Sequence, residues 1–214
     1  MIYLEEILNL KPASPETLDT FVGFAQEKFV PVCERLGCRL VIAWYNDLEW
    51  FCQVRQVLEF DDIDALKDFR VRASQDKAWG EYAAWLEEIA PVRSSRLLEP
   101  LAPIWPEILH QAATESQETP VGSYSLAILE VAPNKWDEFV AGLSQPPANF
   151  PIVSSWHPIS GSPNEVIDVW KGAMRLTGYE PVNEDMRQFF RNLRVRAPKE
   201  RLIPVFALPY SQLR

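Results

Sequence analysis

The chain is short of the residues that mark several function classes. Of 214 residues only two are histidines, His110 and His157, and only three are cysteines, Cys33, Cys38 and Cys52. The cysteine number is odd and no CxxC spacing occurs. Neither a zinc site nor a disulfide framework is therefore expected, and free, buried thiols in a reducing compartment are. Two distant histidines form no metal cluster and no Ser-His-Asp order, and they give haem ligation little basis. No GxGxxG or P-loop pattern occurs, and "SGSPN" (160 to 164) has too few glycines to cradle a phosphate. No apolar run reaches the length of a membrane span. The start, "MIYLEEILNL", is acidic at its fifth and sixth residues and lacks the basic opening of a leader. Lysine and arginine number 21 against 30 acidic residues, a net charge of −9. The one basic stretch, "RQFFRNLRVRAPKER" (187 to 201), reads as the solvated face of a helix, so nucleic acid is not expected as a partner. These absences lead to the expectation of a cytoplasmic protein with no membrane segment, no metal and no cofactor.

Large apolar side chains are plentiful. Eight Trp, eleven Phe and a hydrophobic fraction of 47% guarantee a packed interior. "IYLEEILNL" reads as a strand. Ser14-Pro15-Glu16 then supplies an N-cap, a proline at the first helical position and an acidic first turn. Leu18, Phe21, Val22, Ala25, Phe29 and Val32 recur at helical spacing until Gly37. A hairpin spans 38 to 60, and 61 to 89 is helical by period. "VRSSRLLEPL" is a closing strand. This order, strand, helix, strand, strand, helix, strand, is the pattern of a ferredoxin-like unit.

Residues 101 to 122 break the rhythm and read as a connector with one short helix. The same six elements then return: strands in 123 to 133, 150 to 159, 164 to 174 and 201 to 209, with a helix capped by Asn134 and another over 184 to 196. The expected fold is α+β, two tandem ferredoxin-like βαββαβ units at 1–100 and 123–214, with antiparallel sheets packed face to face as an α/β barrel. Registering the copies sets Tyr3 on Tyr124, Trp44 on Trp156 and 52–60 on 164–172.

The third strand poses a question, because Gln53, Arg55 and Gln56 sit in the middle of what should be a buried element. Alternation puts Gln53, Arg55, Val57 and Glu59 on one face and Val54, Gln56, Leu58 and Phe60 on the other. An arginine under helices is costly without a partner, so the face of Gln53 and Arg55 is expected to turn to the barrel interior.

"GCRLVIAW" (37 to 44), "NEVIDVW" (164 to 170) and "DALKDFRVRASQDKAW" (64 to 79) resemble motifs of the NIPSNAP family, in the dimeric α/β-barrel superfamily. The chain departs from that pattern where Glu5-Glu6 replaces an arginine after the first tyrosine, and where Cys52 and Leu58 replace the asparagine and tryptophan that copy two keeps as Asn164 and Trp170. The resemblance implies a fold used by cofactor-independent monooxygenases, haem-degrading enzymes, isomerases and proteins without an assigned reaction. It also implies a barrel that closes within one chain as a monomer, or a homodimer paired through helices.

The expected partner is a small aromatic or quinone-like molecule in the barrel. Trp44, Gln53, Arg55, Trp156, Asn164 and Trp170 are the candidate ligand-binding residues, Asp168 the candidate base and His157 the candidate proton shuttle. Asp168 has a second reading, a structural hydrogen bond to a neighbouring element. It also registers on Gln56, the face assigned to the helices, so one of the two face assignments has to give way. A binding or interaction protein without a reaction is the competing class.

Overall fold

The computed structural model describes residues 1–146, 150–172 and 184–214. The strands are β1 (Ile2–Asn9), β2 (Arg39–Asn46), β3 (Gln53–Phe60), β4 (Val92–Pro100), β5 (Ser123–Glu130), β6 (Ile152–Pro158), β7 (Glu165–Lys171) and β8 (Lys199–Ala207). Among the described residues they form a closed antiparallel barrel of eight strands in the order β1-β3-β2-β8-β5-β7-β6-β4, giving an α+β fold. Two seams join the strands of the first hundred residues to the later ones. At one, β2 meets β8 through Trp44↔Ala207 and Tyr45↔Phe206. At the other, β4 meets β6 through Leu98↔Pro158, Glu99↔His157 and Pro100↔Trp156.

The helices are α1 (Pro15–Phe24), α2 (Val30–Arg35), α3 (Ile63–Gln75), α4 (Lys77–Ile89), α5 (Trp105–Glu118), α6 (Trp136–Leu143) and α7 (Glu184–Arg196), with a π-helical turn, Ala25–Phe29, between α1 and α2. The Ser14 hydroxyl accepts from Thr17 N–H at 3.3 Å and starts α1 as its sequence suggests. The continuous helix expected over 61 to 89 is interrupted. Asp76 ends α3 in an extended conformation and caps α4, its carboxylate accepting from Trp79 N–H at 2.9 Å. The salt bridge from Arg35 to Asp76, at 2.6 Å, ties that corner to α2. Asn134 does not cap α6. It adopts a left-handed φ of 63° two residues before the helix, whose N-cap is Lys135.

Alternation along each strand sorts the core into three parts. Leu4, Leu8, Val54, Leu58 and Phe60 face α1–α4 and meet Phe21, Phe29, Phe69 and Tyr82. Ala127, Leu129, Val166 and Trp170 face the other way out, under Phe139 of α6 and Leu193 of α7. Tyr3, Trp44, Val57, Tyr124, Leu126, Trp156, Ile167 and Val205 pack the lumen.

Adjacent strands are antiparallel throughout, so β1, β2, β5 and β6 all begin at one end of the barrel. That end is plugged. Helix α5, expected only as a short element in a connector, runs 14 residues and buries Leu109, Ala112 and Ala113 in the lumen cluster. The C-terminal tail joins it. Leu213 N–H donates to Val41 O at 3.0 Å, and the Trp44 indole N–H donates to Leu213 O at 3.1 Å. The tail therefore supplies partners to a part of β2 that β8 does not reach. The opposite end is the mouth, bordered by the β2–β3 and β6–β7 turns. Among the described residues no helix is long and apolar enough to cross a membrane, and no group of three or more His, Cys, Asp or Glu is placed to hold a metal ion. Cys33, Cys38 and Cys52 are free and buried.

Candidate functional site

Two polar constellations stand out, one inside the barrel and one on its helix-covered side. Inside, Arg55 is 2% exposed and lies where the sequence alternation puts it, in the lumen with Gln53, Trp44 and Trp156. Its guanidinium donates to Glu5 at 2.9 Å, to Glu49 at 2.9 Å and to Gln53 at 3.1 Å. Glu5 is also bonded by Arg96, which reaches Glu165 at 2.6 Å. Glu49 meets Arg201 at 2.7 Å. The result is an alternating chain, Arg201–Glu49–Arg55–Glu5–Arg96–Glu165, from the rim into the lumen. Burial is tolerable because each buried charge faces opposite charge. Towards the plugged end, Tyr3 packs on Trp156 with ring centroids 5.4 Å apart, and Trp44 stacks on Tyr124 at 5.0 Å. Burial, with the charge of Glu59 nearby, holds the Tyr3 phenol well above its ordinary range, and burial pushes that of Tyr124 up to about 12.

The second constellation lies between the β6–β7 sheet and its helices. Asp168 is fully buried, and its Oδ1 accepts from the Ser155 hydroxyl at 2.6 Å. Its other oxygen, Oδ2, has no hydrogen-bond partner among the described residues. Burial raises its pKa from 3.8 to about 7, against the lowering pull of the Ser155 hydrogen bond and helped by the nearby charge of Glu200. The register pairs Ser155 with Asp168 and Ile152 with Trp170. Trp170 therefore lies two residues along the same face, about 7 Å away. Phe150 and Phe190 pack on Trp170 with centroids at 5.5 and 5.8 Å. Beside Phe150 and Ile152 opens a cavity of about 360 Å3, walled by Ile108 and Gln111 of α5, by Ile104 just before that helix and by Lys171.

The candidate residues thus fall into two groups. Trp44, Gln53, Arg55 and Trp156 share the lumen, whereas Asp168, Trp170 and His157 share the helix side of β6 and β7. The idea that Asp168 and Trp170 line the lumen is corrected: strand alternation gives the lumen Ile167 and Val169 instead. Nor does Asn164 join either group, since it lies in the β6–β7 turn with its carbonyl accepting from Val131 N–H at 2.8 Å. His157 is engaged too. Its Nδ1 meets the Glu165 carbonyl at 3.0 Å, and its ring edge meets Trp136 at 4.7 Å. Sequence reading missed Ser155, Glu5, Arg96 and Phe150. Ser155 alone had a signal, because its place on β6 beside the Asp168 face follows from counting back from Trp156.

No protein-family model matches the chain, and no curated protein does. Solved structures similar to it include a proposed monooxygenase from Lactobacillus acidophilus, with 12% identity, 99% of this chain and 96% of that chain covered, and a TM-score of 0.61. A proposed monooxygenase from Fusobacterium nucleatum matches with 11% identity over 97% of this chain and 92% of that one, at a TM-score of 0.56. An uncharacterised NIPSNAP domain protein from Burkholderia xenovorans has 17% identity, covers 47% of this chain and 94% of its own length, and has a TM-score of 0.42. The structural neighbours thus include NIPSNAP domain proteins and monooxygenase-like α/β barrels, and at these identities the likeness to the two full-length matches establishes the fold, a closed α/β barrel.

Proposed function

We propose that the chain is a tandem α/β barrel, residues 1–100 and 123–214 joined by 101–122, that binds a small aromatic or quinone-like molecule against the helix side of its second half. Asp168 then serves as the base of a monooxygenase-like reaction without a cofactor. Two features support the tandem reading. The strand order runs β4-β1-β3-β2 and then β8-β5-β7-β6, and the sequence-registered pairs Tyr3/Tyr124 and Trp44/Trp156 all point into the lumen. The three buried free thiols suit a reducing, cytoplasmic setting.

The observation that carries the reaction is Asp168. A carboxyl poised near neutral pH, held by one serine with its second oxygen unengaged and set beside an aromatic wall, is the arrangement a general base needs. A planar ligand entering beside Phe150 and displacing that ring would lie along Trp170 towards Asp168. An acidic O–H or C–H on it gives its proton to Oδ2, and the resulting anion supplies the electrons. A ring CH2 becomes C=O while dioxygen yields that one oxygen atom and one water. The two named monooxygenase neighbours add only a shared fold. The test combines a thermal-shift screen of polycyclic phenols and quinones with dioxygen consumption. Hits that raise the melting temperature, turnover that rises with pH through about 7, and an Asp168→Asn variant that binds without turning over are expected. The reaction reading fails if Asp168→Asn turns over at the wild-type rate. Complete burial of Asp168 favours the competing reading, a binding module in which the Ser155 hydrogen bond is structural; hits without any oxygen consumption would select it.

A further inference from the structure

We infer that the mouth of the barrel is a binding site for a small organic carboxylate, with Glu49 occupying the carboxylate's place in the free protein. The site is distinct from the Asp168 constellation: it opens at the opposite end of the barrel, on the lumen side. A cavity of about 310 Å3 is lined there by Glu49, Arg55, Arg96, Arg201, Ser94 and Ser95. That is the low end of ligand-pocket sizes, which limits the occupant to a small molecule.

Glu49 behaves like a bound ligand. Its two oxygens bridge two arginines, Oε2 to Arg55 at 2.9 Å and Oε1 to Arg201 at 2.7 Å. This is the two-point recognition that planar guanidinium groups give a carboxylate. The partners differ in their freedom to leave. The side chain of Arg55 is 3% exposed and sits on a central strand, whereas Glu49 is 33% exposed on the β2–β3 turn, next to the solvent-facing Leu48. An incoming carboxylate returns Glu49 to water and leaves the charge balance of the cluster unchanged. Arg55 also holds an unsatisfied donor, because its buried Nε–H has no acceptor among the described residues. Such a donor is costly to leave unmade, and a ligand oxygen in the cavity satisfies it. Ser94, which shares the lumen face of β4 with Arg96, offers a hydroxyl to the remainder of the ligand.

Calorimetric titration of the full chain with propionate, benzoate and inorganic phosphate tests the inference, using Glu49→Gln and the double variant Glu49→Gln/Arg201→Gln. Both positions are partly exposed, and circular dichroism verifies that each variant folds. Removing the internal competitor should tighten binding of at least one carboxylate tenfold or more, and removing Arg201 should reverse the gain. Three results would overturn the inference: Glu49→Gln binds no carboxylate more tightly than the wild type, the gain survives loss of Arg201, or phosphate binds at least as well as either carboxylate.

Discussion

Replacing Asp168 by asparagine should make the protein more stable in mildly alkaline solution than in mildly acidic solution, relative to wild type. In the folded state the carboxyl titrates at about 7, against 3.8 when unfolded. The folded state therefore binds the proton more tightly, so its contribution is fully present below 3.8 and is lost as pH rises through about 7. At ~1.4 kcal/mol per pH unit, ionising Asp168 in place costs the wild type about 4 kcal/mol at high pH. Roughly 2–3 kcal/mol of that falls between pH 5 and pH 8. Asparagine keeps an oxygen for the Ser155 hydroxyl but sets an amide where Oδ2 has no partner, a cost of about 1–3 kcal/mol that does not vary with pH. The assay is urea unfolding of both proteins across that pH range. The difference in unfolding free energy, variant minus wild type, should climb by about 2–3 kcal/mol from pH 5 to pH 8, whatever its starting value. A difference that stays flat would refute the reasoning, because it would mean that Asp168 titrates alike in both states.

Two further outcomes follow from the barrel. Arg55→Met should destabilise by about 3–5 kcal/mol, because Glu5, 4% exposed, loses one of its two cations; the denaturation midpoint checks it, and Glu5→Gln in the same background should recover part of the loss. Leu213→Ala should cost about 2–5 kcal/mol although it lies one residue from the C-terminal residue, since the side chain is fully buried under the plug; a melting temperature unchanged within a degree would show that the tail does not hold β2.

The element order was readable because strand and helix periods are strong in this chain, and because Ser14-Pro15 and Gly37 punctuate the first helix where the structure does. The break at Asp76 was not readable. Apolar spacing continues from Phe69 and Ala73 to Trp79 and Tyr82, so nothing in the period betrays the turn between them. The polar "TESQET" run disguised the end of α5, whose buried side comes from Leu109, Ala112 and Ala113. Arg55 was placed correctly by a cost argument, but its partners were out of reach. Glu49 comes from the β2–β3 turn and Arg201 from β8, and only the seam between β2 and β8 brings them together. For Asp168 the registration on Gln56 held the answer, and the expectation of a lumen base conflicted with it.

The charges in the lumen are carried mainly by β1, β3 and β4, and the facing wall is Leu126, Ile128 and Ile167. A barrel closed by two identical chains must present every inward side chain twice, so an arginine like Arg55 would meet its own copy across the axis. Closure within one chain removes that obligation. One wall is free to carry most of the charge while the other stays largely apolar, with Glu165 and Arg201 only at its rim, and a substitution alters one wall at a time.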